Sequence, residues 1–321
     1  MALGMDLKVA EQMAPLLAAL GEVEPPPVGD VAARRVNGHR MFDAVAAART
    51  PAPGVAVQRY ALPVAEGTTV DLLWYHLSDA SGGPGSAALY LHGGGMIFGL
   101  EHIGALYDVA VRDYVAASGV PMLVVDYRVA PEHPHPTPVE DCYAALEWLV
   151  ANASTLGVDP ARIAVMGDSA GGGLAAGVCL MARDRGGPAI AQQLLIYPML
   201  DDRTATPDPQ LEPFLTWTYD DNITGWGALL GASAGTEAVS PYAAPARAED
   251  LSGLPDTYLD IGDLDIFRTE DVVYATRLAD AGVPTELHVH PGCPHAFEAL
   301  AADAPVSRRV VADRIRRLCS L

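Results

Sequence analysis

A run of strand-forming residues, Ile163-Ala164-Val165-Met166, passes directly into Gly167-Asp168-Ser169-Ala170-Gly171-Gly172 and then into an apolar stretch, Gly173 to Met181, that reads as a buried helix. A strand that turns at once into a helix strains its turn residue, and only small neighbours fit beside it. Gly167 and Gly171 are those neighbours. Such a turn lifts the Ser169 hydroxyl out of the sheet and leaves the Ala170 N–H facing the same space, which makes Ser169 the candidate nucleophile. In a chain with 31 glycines the pattern also arises by composition, so its weight depends on what surrounds it.

A second segment supplies that context. Ala87-Ala88-Leu89-Tyr90-Leu91 reads as a strand, and His92-Gly93-Gly94-Gly95 falls at its carboxyl end, where α/β sheets bind ligands. Glycines let backbone amides approach a substrate oxygen closely, so Gly93 and Gly94 are the expected oxyanion donors beside Ala170. Gly95 is expected to shape the turn, and His92 to anchor the loop. The alternative is a plain glycine turn between strand and helix. Taken together, the two segments point to acyl transfer.

A serine hydroxyl needs a base, and the base needs an acid to hold its tautomer. When the nucleophile sits on a strand-to-helix turn of this kind, the acid follows it in the chain and the histidine comes last. Of nine histidines only His288, His290 and His295 follow Ser169. Thr285 to His290 alternates like a strand with His288 and His290 on one face, Pro291-Gly292-Cys293-Pro294 breaks it, and His295 lies on the loop beyond. His295 is therefore the expected base. The acid is expected after the strand Thr257-Tyr258-Leu259-Asp260-Ile261, where both Asp263 and Asp265 stand. A competing reading takes His288, His290, Cys293 and His295 as metal ligands; a serine that needs a downstream histidine explains His295 without a metal.

With these residues in view, the chain resembles the bacterial hormone-sensitive-lipase family of α/β-hydrolase esterases. The resemblance runs from about Leu89 to the carboxyl end and rests on His92-Gly93-Gly94-Gly95, Asp126-Tyr127-Arg128-Val129-Ala130-Pro131-Glu132, Gly167-Asp168-Ser169-Ala170-Gly171-Gly172, Asp265-Ile266-Phe267-Arg268 and His295-Ala296-Phe297. It implies Ser169 as nucleophile, Asp265 rather than Asp263 as the acid, His295 as the base, and an oxyanion hole of Gly93, Gly94 and Ala170. The family usually carries proline after the acid and glycine after the histidine, where this chain has Ile266 and Ala296. The implied activity is hydrolysis of short-chain acyl esters through an acyl-enzyme, with no metal or organic cofactor. The same machinery serves an amide, lactone or carbamate, and relatives that lack the base act as small-molecule receptors; His295 is present here.

The rest of the sequence is consistent with that frame. Strand-like and helix-like segments alternate as in a mostly parallel sheet flanked by helices, without repeats. Residues 51–200 and 239–321 are expected to form this α/β-hydrolase core. Two stretches leave the rhythm: residues 1–50, with two helical patterns around Pro25-Pro26-Pro27, and 201–238, with Phe214, Trp217, Tyr219 and Trp226. In the family such pieces form a small helical cap, whose aromatics either line the acyl pocket or are plain core. Arg128 and Glu132 are expected to pair and brace the glycine loop, and His133 and His135 to be ordinary exposed loop residues. A net charge of −20 argues against nucleic-acid and anionic-membrane binding. Cys142, Cys179, Cys293 and Cys319 show no disulfide-like framework and are expected to be free thiols; Cys293 is read as a small loop residue, with modification beside His295 as the alternative. No membrane-spanning run or secretory pattern is seen, so a cytoplasmic location is expected, with a small-molecule ester as partner and a homodimer possible.

Overall fold

Eight strands form one sheet in the order β1-β2-β4-β3-β5-β6-β7-β8 in the computed structural model, which describes residues 3–21, 24–79 and 85–321. They are β1 (Val55–Pro63), β2 (Thr69–Leu77), β3 (Gly85–Leu91), β4 (Met122–Val125), β5 (Val158–Asp168), β6 (Gln192–Ile196), β7 (Asp256–Gly262) and β8 (Thr285–His290). The β1–β2 and β2–β4 pairs are antiparallel and every other pair is parallel. Parallel strands are covered on both faces and therefore read as unbroken apolar runs. That is why Ala87 to Leu91, Met122 to Val125 and Ile163 to Met166 are buried without alternation.

The helices are α1 (Leu7–Leu20), α2 (Val31–Ala47), α3 (Leu100–Ser118), α4 (Thr137–Ala151), the single turn α5 (Ala153–Leu156), α6 (Ala170–Arg185), α7 (Tyr219–Leu230), α8 (Arg268–Asp280), the single turn α9 (Phe297–Leu300) and α10 (Pro305–Cys319). α1 and α2 come from the first 50 residues and α7 from the 201–238 stretch. Asp6 caps α1 by accepting the Lys8 and Val9 amides, and its own N–H donates to the Gly292 carbonyl at 2.8 Å. Val9 and Met13 then pack with Cys293, Phe297 and Val310 in a separate apolar cluster. α2 is tied to α7 through Arg34, which is 4% exposed and donates to Asp221 at 2.8 Å and to the Pro26 and Pro27 carbonyls. Thr218 and Asp221 close α7 with a reciprocal capping box.

Under the carboxyl end of β7, Arg314 of α10 is fully buried and forks onto Asp260, with both bonds 2.7 Å. The same guanidinium reaches Glu298 at 2.7 Å and Tyr114 Oη at 3.2 Å, and lies over the Tyr197 ring.

The expected Arg128–Glu132 pair is not formed. Arg128 grips Asp141 of α4 with bonds of 2.9 and 2.7 Å, because that carboxylate is 2% exposed and needs a counter-charge. Glu132 lies at the surface within reach of α2, where Arg35 takes both its oxygens at 2.7 Å and also donates to the Ile97 and Ala130 carbonyls. The glycine loop is thus braced from α2. His133 and His135 lie on the loop before α4, partly rather than fully exposed. All four cysteines are free, and Cys319 alone is exposed. Burial pushes the Cys293 thiol up to about 12, which leaves it a poor target for modification. Among the described residues no helix is long and apolar enough to cross a membrane.

Candidate active site

Ser169 stands between β5 and α6 with φ 53° and ψ −122°, a conformation that L-residues adopt only under constraint. The constraint is visible at the flanking glycines. A Cβ on Gly171 would run into the carbonyls of Leu91 and His92, and one on Gly167 into the Gly171 backbone. The nucleophile turn therefore presses directly on the strand end that carries the glycine loop.

His295 Nε2 lies 2.9 Å from Ser169 Oγ, and His295 Nδ1 lies 2.6 Å from Asp265 Oδ2. Asp265 is 1% exposed and its second oxygen accepts the Phe267 N–H at 3.0 Å. Three residues far apart in the chain thus converge in one hydrogen-bonded line. Asp263, the other candidate acid, faces away: it accepts the Gly292 N–H at 2.6 Å and so holds the turn that leads to His295. His288 and His290 stack on each other on one face of β8, with His288 bonded to Glu286. Both ring nitrogens of His295 are engaged in the serine–acid line, which removes it from the set of metal ligands; among the described residues no group of three or more His, Cys, Asp or Glu side chains is placed to hold a metal.

The base is held in place from two sides. Tyr197 and Phe267 meet its ring edge-to-face at centroid distances of 4.7 and 5.3 Å. Ala296, where the family usually has glycine, takes φ 56°, so the left-handed turn is kept with a Cβ present at a cost of about 1 kcal/mol. Burial disfavours the imidazolium, but the Asp265 carboxylate and its hydrogen bond, helped by Asp168 and Glu298, outweigh burial and hold His295 above its ordinary range. A general base acts in its neutral form, so activity is lost as pH falls through this raised value. The acid limb of kcat/KM is accordingly expected to have its midpoint above the roughly 6.5 of an unperturbed histidine, read from a pH–rate profile of the free enzyme. A midpoint below that value would contradict the Asp265 contact.

The glycine loop departs from expectation at one position. The Gly93 N–H, expected to face substrate, donates instead to Tyr107 Oη at 2.6 Å. Gly94 and Gly95 line the cavity with Ser169. Ala170 is the first residue of α6, where helix amides have no intrahelical acceptor. His92 anchors the loop as expected: Nδ1 donates to the Gly93 carbonyl at 2.8 Å, and the ring stacks on Tyr127 at 4.2 Å. Burial pushes it down to about 4, so it stays neutral.

A cavity of about 360 Å³ opens onto Ser169 and His295, walled by Phe42 and Val45 of α2, Leu106 of α3, Ile315 of α10 and Trp217. Of the four aromatics in the 201–238 stretch, Trp217 alone lines it, lying against Gly95; Trp226 and Tyr219 are core. Tyr107, Tyr197 and Arg314 carry no sequence signature, since their roles arise only when α3, the end of β6 and α10 meet.

Known proteins match this arrangement. Residues 88–299 match the alpha/beta hydrolase fold family. Esterase LipI of Mycobacterium tuberculosis is 38% identical over 71% of this chain and 72% of its own length, and carboxylesterase NlhH of the same species is 35% identical over 68% of each. Among solved structures, a bacterial heroin esterase superposes with a TM-score of 0.86 at 37% identity, covering 98% of this chain and 97% of its own. A hyperthermophilic esterase from the archaeon Pyrobaculum calidifontis gives 0.84 at 30%, covering 99% of each chain. A serine on a strained strand–helix turn, an imidazole and a carboxylate in line with it, and the sheet that brings them together agree with these likenesses: the chain belongs to the α/β-hydrolase fold family, among its bacterial hormone-sensitive-lipase-like esterases.

Proposed function

We propose that this protein hydrolyses short-chain carboxylic esters, with Ser169, His295 and Asp265 as its triad. The observation that carries the reading is the unbroken line from Ser169 Oγ to His295 Nε2 at 2.9 Å and from Nδ1 to Asp265 at 2.6 Å. His295 takes the Ser169 proton as the oxygen attacks the ester carbonyl, and Asp265 stabilises the imidazolium without taking its proton. The developing oxyanion is met by the amides of Gly94, Gly95 and Ala170. The imidazolium returns its proton to the leaving alcohol. Water then attacks the acyl-enzyme, giving its proton to His295, and the acid product leaves with Ser169 restored.

The two segments 1–50 and 201–238 serve as the cap, with α2 and Trp217 walling the acyl site. Its 360 Å³ lies near the small end of the roughly 300–1,000 Å³ spanned by ligand pockets, which favours short acyl chains. A relative named ethyl acetate hydrolase, from Pseudomonas putida, is 33% identical over 66% of this chain. In a series of nitrophenyl esters, kcat/KM is expected to peak at or below butyrate and to fall by about tenfold or more at palmitate, since a single methylene that does not fit a pocket already costs about 1–3 kcal/mol. A steady rise toward palmitate would refute the short-chain assignment while leaving ester hydrolysis intact.

A further inference from the structure

Asp168, the residue before the nucleophile, has both carboxylate oxygens taken by phenols: Tyr90 Oη donates to Oδ1 at 3.0 Å and Tyr107 Oη to Oδ2 at 2.6 Å. The Tyr107 oxygen in turn accepts the Gly93 N–H at 2.6 Å. A hydroxyl whose proton is committed to a carboxylate offers its lone pairs to that amide, so the two bonds strengthen each other. Gly93 leaves no space there for a side chain, because a Cβ would sit 2.6 Å from Asp168 Oδ2 and 2.8 Å from Tyr107 Oη. The glycine at this position is thus explained by the bridge rather than by contact with substrate. Tyr127 Oη donates to the His92 carbonyl at 2.7 Å, so both polar groups of the His92–Gly93 peptide are held by phenols.

We propose that Tyr107 is a positioning residue for the oxyanion loop: by joining Asp168 to the Gly93 amide, it sets the Gly94 and Gly95 amides relative to Ser169. The inference rests on the esterase reading above and goes beyond it, because the hydrogen bonds of Tyr107 run to Asp168 and Gly93 and not to Ser169, His295 or Asp265. Burial keeps the Tyr107 phenol well above its ordinary range, so it remains protonated and able to donate to Asp168 at neutral pH. Burial also pushes Asp168 up to about 6, against the opposing hydrogen bonds of Tyr107 and Tyr90, so it is ionised and able to accept above that pH.

The test compares Tyr107→Phe with Tyr90→Phe. Tyr107→Phe keeps the ring and loses both bonds. Its kcat on nitrophenyl butyrate is expected to fall about tenfold to a hundredfold with KM within about threefold, and a trifluoromethyl ketone that forms the tetrahedral oxyanion is expected to lose affinity by the same factor. Tyr90→Phe takes an equivalent bond from Asp168 but none from the loop, and is expected to lose less than about threefold in both readings. Equal losses in the two variants, or unchanged ketone affinity in Tyr107→Phe, would overturn the proposal. Should Tyr107→Phe fail to fold, Asp168→Asn weakens the same bridge at constant shape; a matched loss of kcat and ketone affinity supports the proposal, and retention of both overturns it. An organophosphonate counts competent Ser169 in every sample. A wild-type protein that neither takes this label nor cleaves the esters would refute the esterase reading itself, a result distinct from either failure of Tyr107.

Discussion

Ser169→Ala is expected to reduce turnover of nitrophenyl butyrate by about 10⁶-fold while KM stays within about threefold, because the triad acts as a unit and ground-state binding does not need the hydroxyl. The substitution removes one oxygen from a residue already 6% exposed and leaves the backbone turn untouched. Its side-chain bond to His295, at 2.9 Å, is one the imidazole can replace with water from the cavity. Folding stability is therefore expected to change by less than about 1 kcal/mol. What remains is the contribution of the oxyanion amides and of binding, about 10³ to 10⁴ over water. Steady-state rates normalised by phosphonate labelling of the wild type give the comparison. A variant retaining more than about a tenth of wild-type activity would place the nucleophile elsewhere.

The largest expected effect on stability belongs to Arg314→Met. The substitution keeps an unbranched stem, shorter than that of arginine, and leaves the fully buried Asp260 carboxylate without its fork of two 2.7 Å bonds. Breaking a buried pair from one side costs about 3–5 kcal/mol, because the remaining charge stays desolvated. Glu298 also loses its 2.7 Å bond, although Tyr197 Oη still donates to it at 2.6 Å. Urea unfolding measures the loss. Adding Asp260→Asn to the variant is expected to recover about half of it, since the orphaned charge is then gone. A single-variant loss under about 1 kcal/mol would mean that Asp260 finds another partner.

How much of this was written in the chain differs from element to element. The nucleophile turn was legible because its demands are local: an apolar strand, two glycines and a helix stand within a few residues of one another. His295 was legible by chain order, and Asp265 by family likeness, since Asp263 and Asp265 satisfy the same local pattern. Only the fold separates them, by turning Asp263 back onto the Gly292 amide. The Gly93 amide was expected to face substrate and is instead taken within the fold. Nothing in His92 to Gly95 shows that a phenol 14 positions later on α3 takes the Gly93 amide. The Arg128–Glu132 pairing failed for a similar reason. Opposite charges close in sequence lost to partners brought in by α2 and α4, one of them a desolvated carboxylate with more to gain. Trp217 and Trp226 look alike as text, and only packing sends one to the cavity and the other to the core.

The contact between the Asp6 amide and the Gly292 carbonyl bears on how such a protein is made. The imidazole leaves the ribosome 126 residues after the hydroxyl it must serve, and the segment that carries it closes against α1, which is made before both. A nascent chain therefore carries an unarmed serine while those 126 residues are made. Chemistry begins only when the segment that carries His295 has folded back onto Ser169.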